Sequence, residues 1–290
     1  MRTNPSSLKA CDQGDDSGAY GMVNGVQDGT AHDIDIMGLR LHNLHRNQIA
    51  QSVIDAVSQR RRLLVVNANA HLVVLAQKNS WLPALFRKAD IAFCDGAGVQ
   101  LAIRLLTGRS AHRTTPPEWI GGVLEALGPN VSIFWLGGAP PVVAEAARRY
   151  ETKFGVRTAG TQHGYFDMSI GSADTRAVID RINRSRPTML LVNMGMPRQE
   201  RWLWENWDQL VPCVGVTAGA LVDHAAGRVS RPPRWVANIG MEWLVRLVRE
   251  PRRLWRRYLL GLPEFGAYML RYAWYSAGDK NLKNDDGLVG

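Results

Sequence analysis

The sequence predicts an α/β fold: a mostly parallel sheet with helices on both faces, followed by a helical C-terminal appendage of different character. Three observations lead there. From residue 33 onward, short apolar runs alternate with segments of helical period, and continuous apolar strands are strands covered on both faces. Nearly every such run ends in a polar or glycine-rich turn, at the strand ends where open parallel sheets bind their ligands. Finally, residues 228–272 hold ten arginines, no lysine and three acidic residues, a local charge of +7 in a chain of net charge +9.

The elements follow in order. Ile34–Met37 is a first short strand. Helical period over 47–60 leads to the strand Leu63–Val66, which closes on Asn67-Ala68-Asn69 and feeds a helix at 71–78. Ile91–Cys94 closes on Asp95-Gly96-Ala97-Gly98 and opens a helix at 97–107; a further helical pattern covers 118–127. Val131–Leu136 ends at Gly137-Gly138 before a helix at 140–154, and 173–185 is helical again. Met189–Met194 ends at Gly195 before a helix at 197–208, and Cys213–Val216 ends at Thr217-Ala218-Gly219. Beyond about residue 228, Arg, Trp and Leu dominate, with Pro232, Pro233 and Pro251 among them. The expected organisation is a disordered leader at 1–32, a sheet domain at 33–227, the basic appendage at 228–272 and a flexible tail at 273–290.

Composition bounds the function. The chain has 290 residues, 46% hydrophobic and 21% charged, which permits a sizeable core and excludes wholesale disorder. Three widely spaced cysteines give no disulfide or zinc framework and fit a reducing compartment. The polar first 30 residues show no signal peptide, and no run reaches the ~18 apolar residues of a membrane span. The basic charge calls for anionic partners: nucleic acid, anionic lipid or phosphorylated substrates.

Asp95, after a strand and before a helix, is a candidate general base toward a hydroxyl; capping of the helix at 97–107 is the alternative. Gly96 and Gly98 with the helix N-terminus suit a phosphate, but the third glycine of a dinucleotide fingerprint is missing. In Asn193–Glu200, Gly195 permits a tight turn, Pro197 suits a first helical turn, and Gln199 and Glu200 face the ligand edge, with ordinary capping again the alternative. Asp33-Ile34-Asp35 matches an Asp-x-Asp metal pattern but reads better as a solvated strand edge. On a straight helix at about 100° per residue, Arg246, Arg249, Arg253 and Arg256 share one arc, with Trp243, Leu244, Leu247, Leu254, Trp255, Tyr258 and Leu259 mostly opposite. That is the pattern of a helix lying on an anionic membrane, and the choice of arginine alone favours phosphate binding.

Together these residues resemble the WecG/TagA/CpsF family of bacterial glycosyltransferases over about residues 33–260. The resemblance runs through Asn69 with His71-Leu72-Val73, Asp90 to Val99, Arg113, Phe134–Gly138, His163–Phe166, Gly195–Glu200, Gly215–Asp223, Arg231, Glu242–Leu244 and Glu250–Arg253. It implies a Rossmann-like sheet domain whose appendage docks at the membrane, peripheral on the cytoplasmic face. The implied reaction inverts the anomeric centre, needs no metal or other cofactor, and moves a sugar from a UDP-sugar to a polyprenyl-pyrophosphate-linked sugar. By the same resemblance Asp95 is the base. Asn67, Asn69, Arg113 and Gln199 bind substrate, and Arg246, Arg253 and Arg256 hold the diphosphate. Asn67-Ala68-Asn69 replaces the usual Thr-x-Asn, and Arg113-Thr-Thr-Pro116-Pro117-Glu118 replaces the usual Arg-x-x-Gly-x-Asp. The second variant looks more like the xanthan- and acetan-type β-1,4-glucosyltransferases, so glucose transfer in exopolysaccharide synthesis is expected, with N-acetylmannosamine transfer as the alternative. A non-catalytic basic protein binding lipid or nucleic acid is the rival of another class. It gives no reason for Asp95, Asn69 and Gln199 at successive strand ends, and nucleic acid is therefore not an expected partner. Homo-oligomerisation is left open.

Overall fold

In the computed structural model the described residues are 33–229 and 241–285, with the side chains of Glu242, Arg253 and 276–285 also left undescribed. The leader expected at 1–32 and the junction at 230–240, with Arg231 and Arg234, lie outside them. The chain opens with an antiparallel hairpin of β1 (Asp33–Ile36) and β2 (Leu39–His42), in register Ile34↔Leu41. Helix α1 (Arg46–Ser58) then leads to β3 (Leu63–Ala68), α2 (Ala70–Ala76), α3 (Trp81–Lys88), β4 (Ile91–Cys94) and α4 (Ala97–Thr107). Next come α5 (Pro116–Leu127), β5 (Ser132–Gly137), α6 (Pro140–Phe154), β6 (Arg157–Gln162) and α7 (Ala173–Ser185). The unit closes with β7 (Met189–Asn193), α8 (Arg198–Asn206), β8 (Val214–Thr217) and α9 (Leu221–Ala225).

Six strands form one sheet in the order β4-β3-β8-β7-β5-β6, every pair parallel. Because side chains alternate across a strand, each central strand feeds two cores. Phe134, Leu136, Leu190 and Val192 point into one, with residues of α2, α3, α4, α7 and α8. Ile133, Trp135, Met189 and Leu191 point into the other, with α1, α5, α6 and α9. Helices therefore cover both faces, as the apolar runs predict.

The sequence pattern misses four elements, for two reasons. Strand β6 (Arg-Thr-Ala-Gly-Thr-Gln) and β2 are short or polar, and β6 is half-exposed at the sheet edge, where an apolar run is not required. Helix α3 carries Pro83 inside its first turn, where proline is tolerated but reads as a breaker, and α9 has only five residues.

The appendage is helical, though not one straight rod. Helix α10 (Glu242–Arg249) stops at Glu250, whose backbone at φ −132°, ψ 58° leaves the helix. Helix α11 (Pro251–Trp255) follows, then a π-helical turn at Arg256–Leu260 and α12 (Gly261–Asp285). Proline at 251 and the π turn each shift the phase. Helix α12 continues through Asp285, so the boundary expected at 272/273 is not a helix end. Phe265 is buried in the core shared with α2 and α4, and Lys78 pairs with Glu264 at 2.5 Å, so the appendage is seated on the sheet unit. Among the described residues, no helix is long and apolar enough to cross a membrane.

Candidate active site

The C-terminal ends of all six parallel strands open onto one cleft of about 550 Å³. Its floor is set by backbone. At Gly137, φ is +118° and a Cβ would stand 2.4 Å from the carbonyl carbon of Asn193, so only glycine lets the β5 and β7 ends approach this closely. Asn193 in turn accepts from the Val222 amide at 3.1 Å, tying the β7 end to the start of α9.

Asp95 lines this cleft. It does not cap α4: the N-cap there is Gly96, with no side-chain capping bond. Its backbone amide donates to Ala68 at 2.8 Å, and its Oδ2 accepts from Asn67 Nδ2 at 2.5 Å. The Asn67 carbonyl accepts from the Thr217 hydroxyl at 2.7 Å. Asn67 and Thr217 are buried, so this relay across β8, β3 and β4 fixes the carboxylate from beneath. Asn67, expected to bind substrate, lines the cleft with both ends of its amide engaged, and it orients Asp95. Cys94 next door is no competing nucleophile, because burial pushes its thiol up to about 12.

The other expected residues are dispersed more widely. Asn69 lines the cleft; it caps α2 by accepting from Leu72 N at 3.1 Å and donates to Met196 Sδ at 3.1 Å. Gln199 forms part of the wall but is fully buried. Its carbonyl accepts from Gly219 N at 3.1 Å and its amide donates to Glu200 Oε1 at 2.7 Å, so it braces the β8–α9 turn and does not reach into the cleft. Arg113 bridges Cys94 through its backbone and stands outside the lining, whereas the variant stretch after it, Thr115-Pro116-Pro117, lines the cleft. Thr115 and Glu118 form a capping box that begins α5 there. Asp33 and Asp35 lie on the hairpin, away from the cleft, and Asp33 pairs with Arg40 at 2.6 Å.

The appendage supplies one side of the site. Arg246, Glu250, Leu254, Arg257 and Tyr258 all line it, and Leu254 and Tyr258 are buried. Arg256, expected here, is exposed and stacks on Trp255 at 5.3 Å from the ring centre; its neighbour Arg257 takes the place. The side chain of Arg253 lies outside the described residues. On a straight wheel Arg257 already lies about 20° from Arg246, nearer than Arg256. The apolar face divides accordingly: Leu254 and Tyr258 turn inward, while Val248, Trp255, Leu259 and Leu260 are exposed. Sequence reasoning also missed Arg198, which lines the cleft and donates to the Gly164 carbonyl at 2.7 Å.

Two titratable groups are perturbed. His71 lines the cleft; burial first, then the Arg257 charge, hold its pKa at about 4, so it is neutral at physiological pH. Glu200, fully buried, is pushed up to about 7 by desolvation, against the opposing pull of Gln199 and Arg257. The sign of the linkage is fixed by that direction. Between the ordinary carboxyl value of 4.5 and about 7, the folded chain keeps a proton that the unfolded chain has released, so stability falls as pH rises through this window. Thermal melts of Glu200→Gln against the unmutated chain are expected to diverge in the variant's favour across it, at up to about 1.4 kcal/mol per pH unit, and to run parallel above it. Among the described residues, no three His, Cys, Asp or Glu side chains are grouped to hold a metal ion.

A family model described as "Glycosyl transferase WecG/TagA/CpsF family" matches residues 34–278. The chain is also similar to the N-acetylglucosaminyldiphosphoundecaprenol N-acetyl-beta-D-mannosaminyltransferase of Bacillus spizizenii, 29% identical over 223 residues, which span 76% of this chain and 84% of that protein. The narrower likeness to xanthan- and acetan-type glucosyltransferases, and with it UDP-glucose and exopolysaccharide synthesis, gains no support here. The relative transfers N-acetylmannosamine by name.

Proposed function

The chain belongs to the WecG/TagA/CpsF family of glycosyltransferases and is a sugar-transferring enzyme, and we propose that it moves N-acetylmannosamine from a UDP-linked donor to N-acetylglucosamine carried on a polyprenyl diphosphate. One observation carries the chemistry: a single cleft joins Asp95, held by the Asn67–Thr217 relay, to Arg246 and Arg257 of the appendage. The choice of sugar and acceptor is supported by the relative's activity.

In the proposed reaction the acceptor hydroxyl gives its proton to Asp95 as its oxygen bonds to the anomeric carbon. The bond from that carbon to the UDP oxygen breaks in line, the electron pair leaves with UDP, and the centre inverts. Negative charge grows on the departing diphosphate, and Arg246 and Arg257 are placed to stabilise it. As the family resemblance implies, no metal enters this scheme.

The same reading places the enzyme on a membrane surface, where a polyprenyl-linked acceptor resides. Exposed Val248, Trp255, Leu259, Leu260, Leu270 and Trp274 beside arginines support it, since an interfacial helix inserts apolar side chains and keeps its cations at the headgroups. The cytoplasmic face of the plasma membrane is the proposed location.

Glucose transfer remains a second reading on one observation: the variant Thr115-Pro116-Pro117 stretch lines the cleft, and a changed wall changes which sugar fits. A competition between UDP-N-acetylmannosamine and UDP-glucose, with a synthetic lipid-pyrophosphoryl acceptor and products read by mass, decides between them. We expect N-acetylmannosamine to be transferred in preference by at least about tenfold; dominant glucose incorporation reverses the assignment.

A further inference from the structure

The surface proposed for the membrane belongs wholly to the appendage, yet the sheet unit exposes apolar side chains beside it. On α4, Val99, Ala102 and Ile103 are buried, while Leu101 and Leu105 are 56% and 65% exposed. At about 100° per residue, Gly98, Leu101 and Leu105 fall within an arc of roughly 60°. Gly98 marks where that face meets α12: a Cβ there would stand 3.9 Å from the Phe265 ring, and Phe265 is buried. The two leucines continue from this crossing, roughly 5 and 10 Å further along α4. Helix α12 lies over the Gly98 side of α4, so its opposite side faces the same way as the leucines. That opposite side carries exposed Leu270 and Trp274.

Charge favours one kind of partner for this face. Between Gly96 and Pro117 the chain has Arg104, Arg109 and Arg113 and no acidic residue, and Arg104 and Arg109 are exposed. Apolar side chains rimmed by cations, with no acid among them, are complementary to an anionic lipid surface. Position favours the same partner, because α4 starts at Ala97, two residues after Asp95. We propose that α4 is a second membrane-contacting element: Leu101 and Leu105 insert into an anionic bilayer together with the outer side of α12. The contact holds α4, and with it the Asp95 side of the cleft, at the surface from which the lipid-linked acceptor enters. The inference rests on the membrane reading of the appendage and adds that the sheet domain carries part of the contact.

The test is co-sedimentation of the full chain with vesicles of equal parts phosphatidylcholine and phosphatidylglycerol. Replacing both leucines by serine (Leu101→Ser with Leu105→Ser) is expected to weaken partitioning about tenfold or more, as loss of two inserted leucines does. Insertion is not screened by ions, so the deficit should persist in high salt. Turnover with a soluble acceptor should stay unchanged, while turnover with an acceptor embedded in the same vesicles falls in step with binding. Should the serine pair fail to fold, the alanine pair, which keeps helix propensity, should show a smaller deficit in the same direction, about threefold. Unchanged partitioning overturns the proposal, as does a deficit that high salt abolishes. A dimer by light scattering that the substitutions convert to a monomer also overturns it, because a second copy of the chain then covers α4. If the unmutated chain binds the vesicles and the variant binds equally, only the role of α4 falls; if the unmutated chain does not bind them, the membrane reading falls and takes this inference with it.

Discussion

Asp95→Asn is expected to lower turnover by about 10²–10⁴, the range for loss of a positioned general base, with thermal stability near that of the unmutated chain. The amide keeps an oxygen for the Asn67 bond, now 2.5 Å long, so the relay behind it persists while the proton acceptor is gone. Donor affinity should change little, because in the proposed reaction Asp95 meets the acceptor hydroxyl and not the nucleotide. Single-turnover assays with saturating donor separate these effects. Near-normal turnover in a folded Asp95→Asn sample removes Asp95 from the base role, and a large fall in UDP affinity would instead mark it as a binding residue.

The second large effect distinguishes two adjacent arginines. Arg257→Gln should cost about 10²–10³ in kcat, as removal of one preorganised donor at a developing negative charge does. Arg256→Gln should stay within about threefold when assayed with a soluble acceptor, because Arg256 is exposed and packs on Trp255, where an exposed cation–π contact contributes little. Equal losses at both positions, or the larger loss at 256, would show that the appendage seats differently during turnover. Assays on vesicles carrying anionic lipid add a second contrast, since the proposed docking turns exposed Arg256 to the surface, while Arg257 lines the cleft.

Much of this was legible from the chain alone, and the exceptions have definable causes. The strands that later form the centre of the sheet are continuous apolar runs, and those are the ones the pattern finds; β6, polar at an edge, carries no such signal. Asp95 was legible because a carboxylate between a strand and a helix has few local explanations, and the structure removes one by capping α4 with Gly96. For Asn67 the sequence reveals a position at a strand end but not which partners its amide finds there. Its partners Thr217 and Asp95 are distant in sequence and meet only through the β4-β3-β8 order. Arg257 is missed for a different reason: the family resemblance points to Arg256, although on a straight wheel Arg257 lies nearer to Arg246.

The backbone contact at Gly137 has a bearing on how this enzyme can diversify. With a hypothetical Cβ 2.4 Å from the Asn193 carbonyl carbon, that strand end admits no side chain without displacement of β5 from β7. A lineage that acquires a new donor sugar must therefore do so at the rim, in the Thr115–Pro117 turn or the appendage. There a substitution alters the walls and leaves the β5–β7 contact in place.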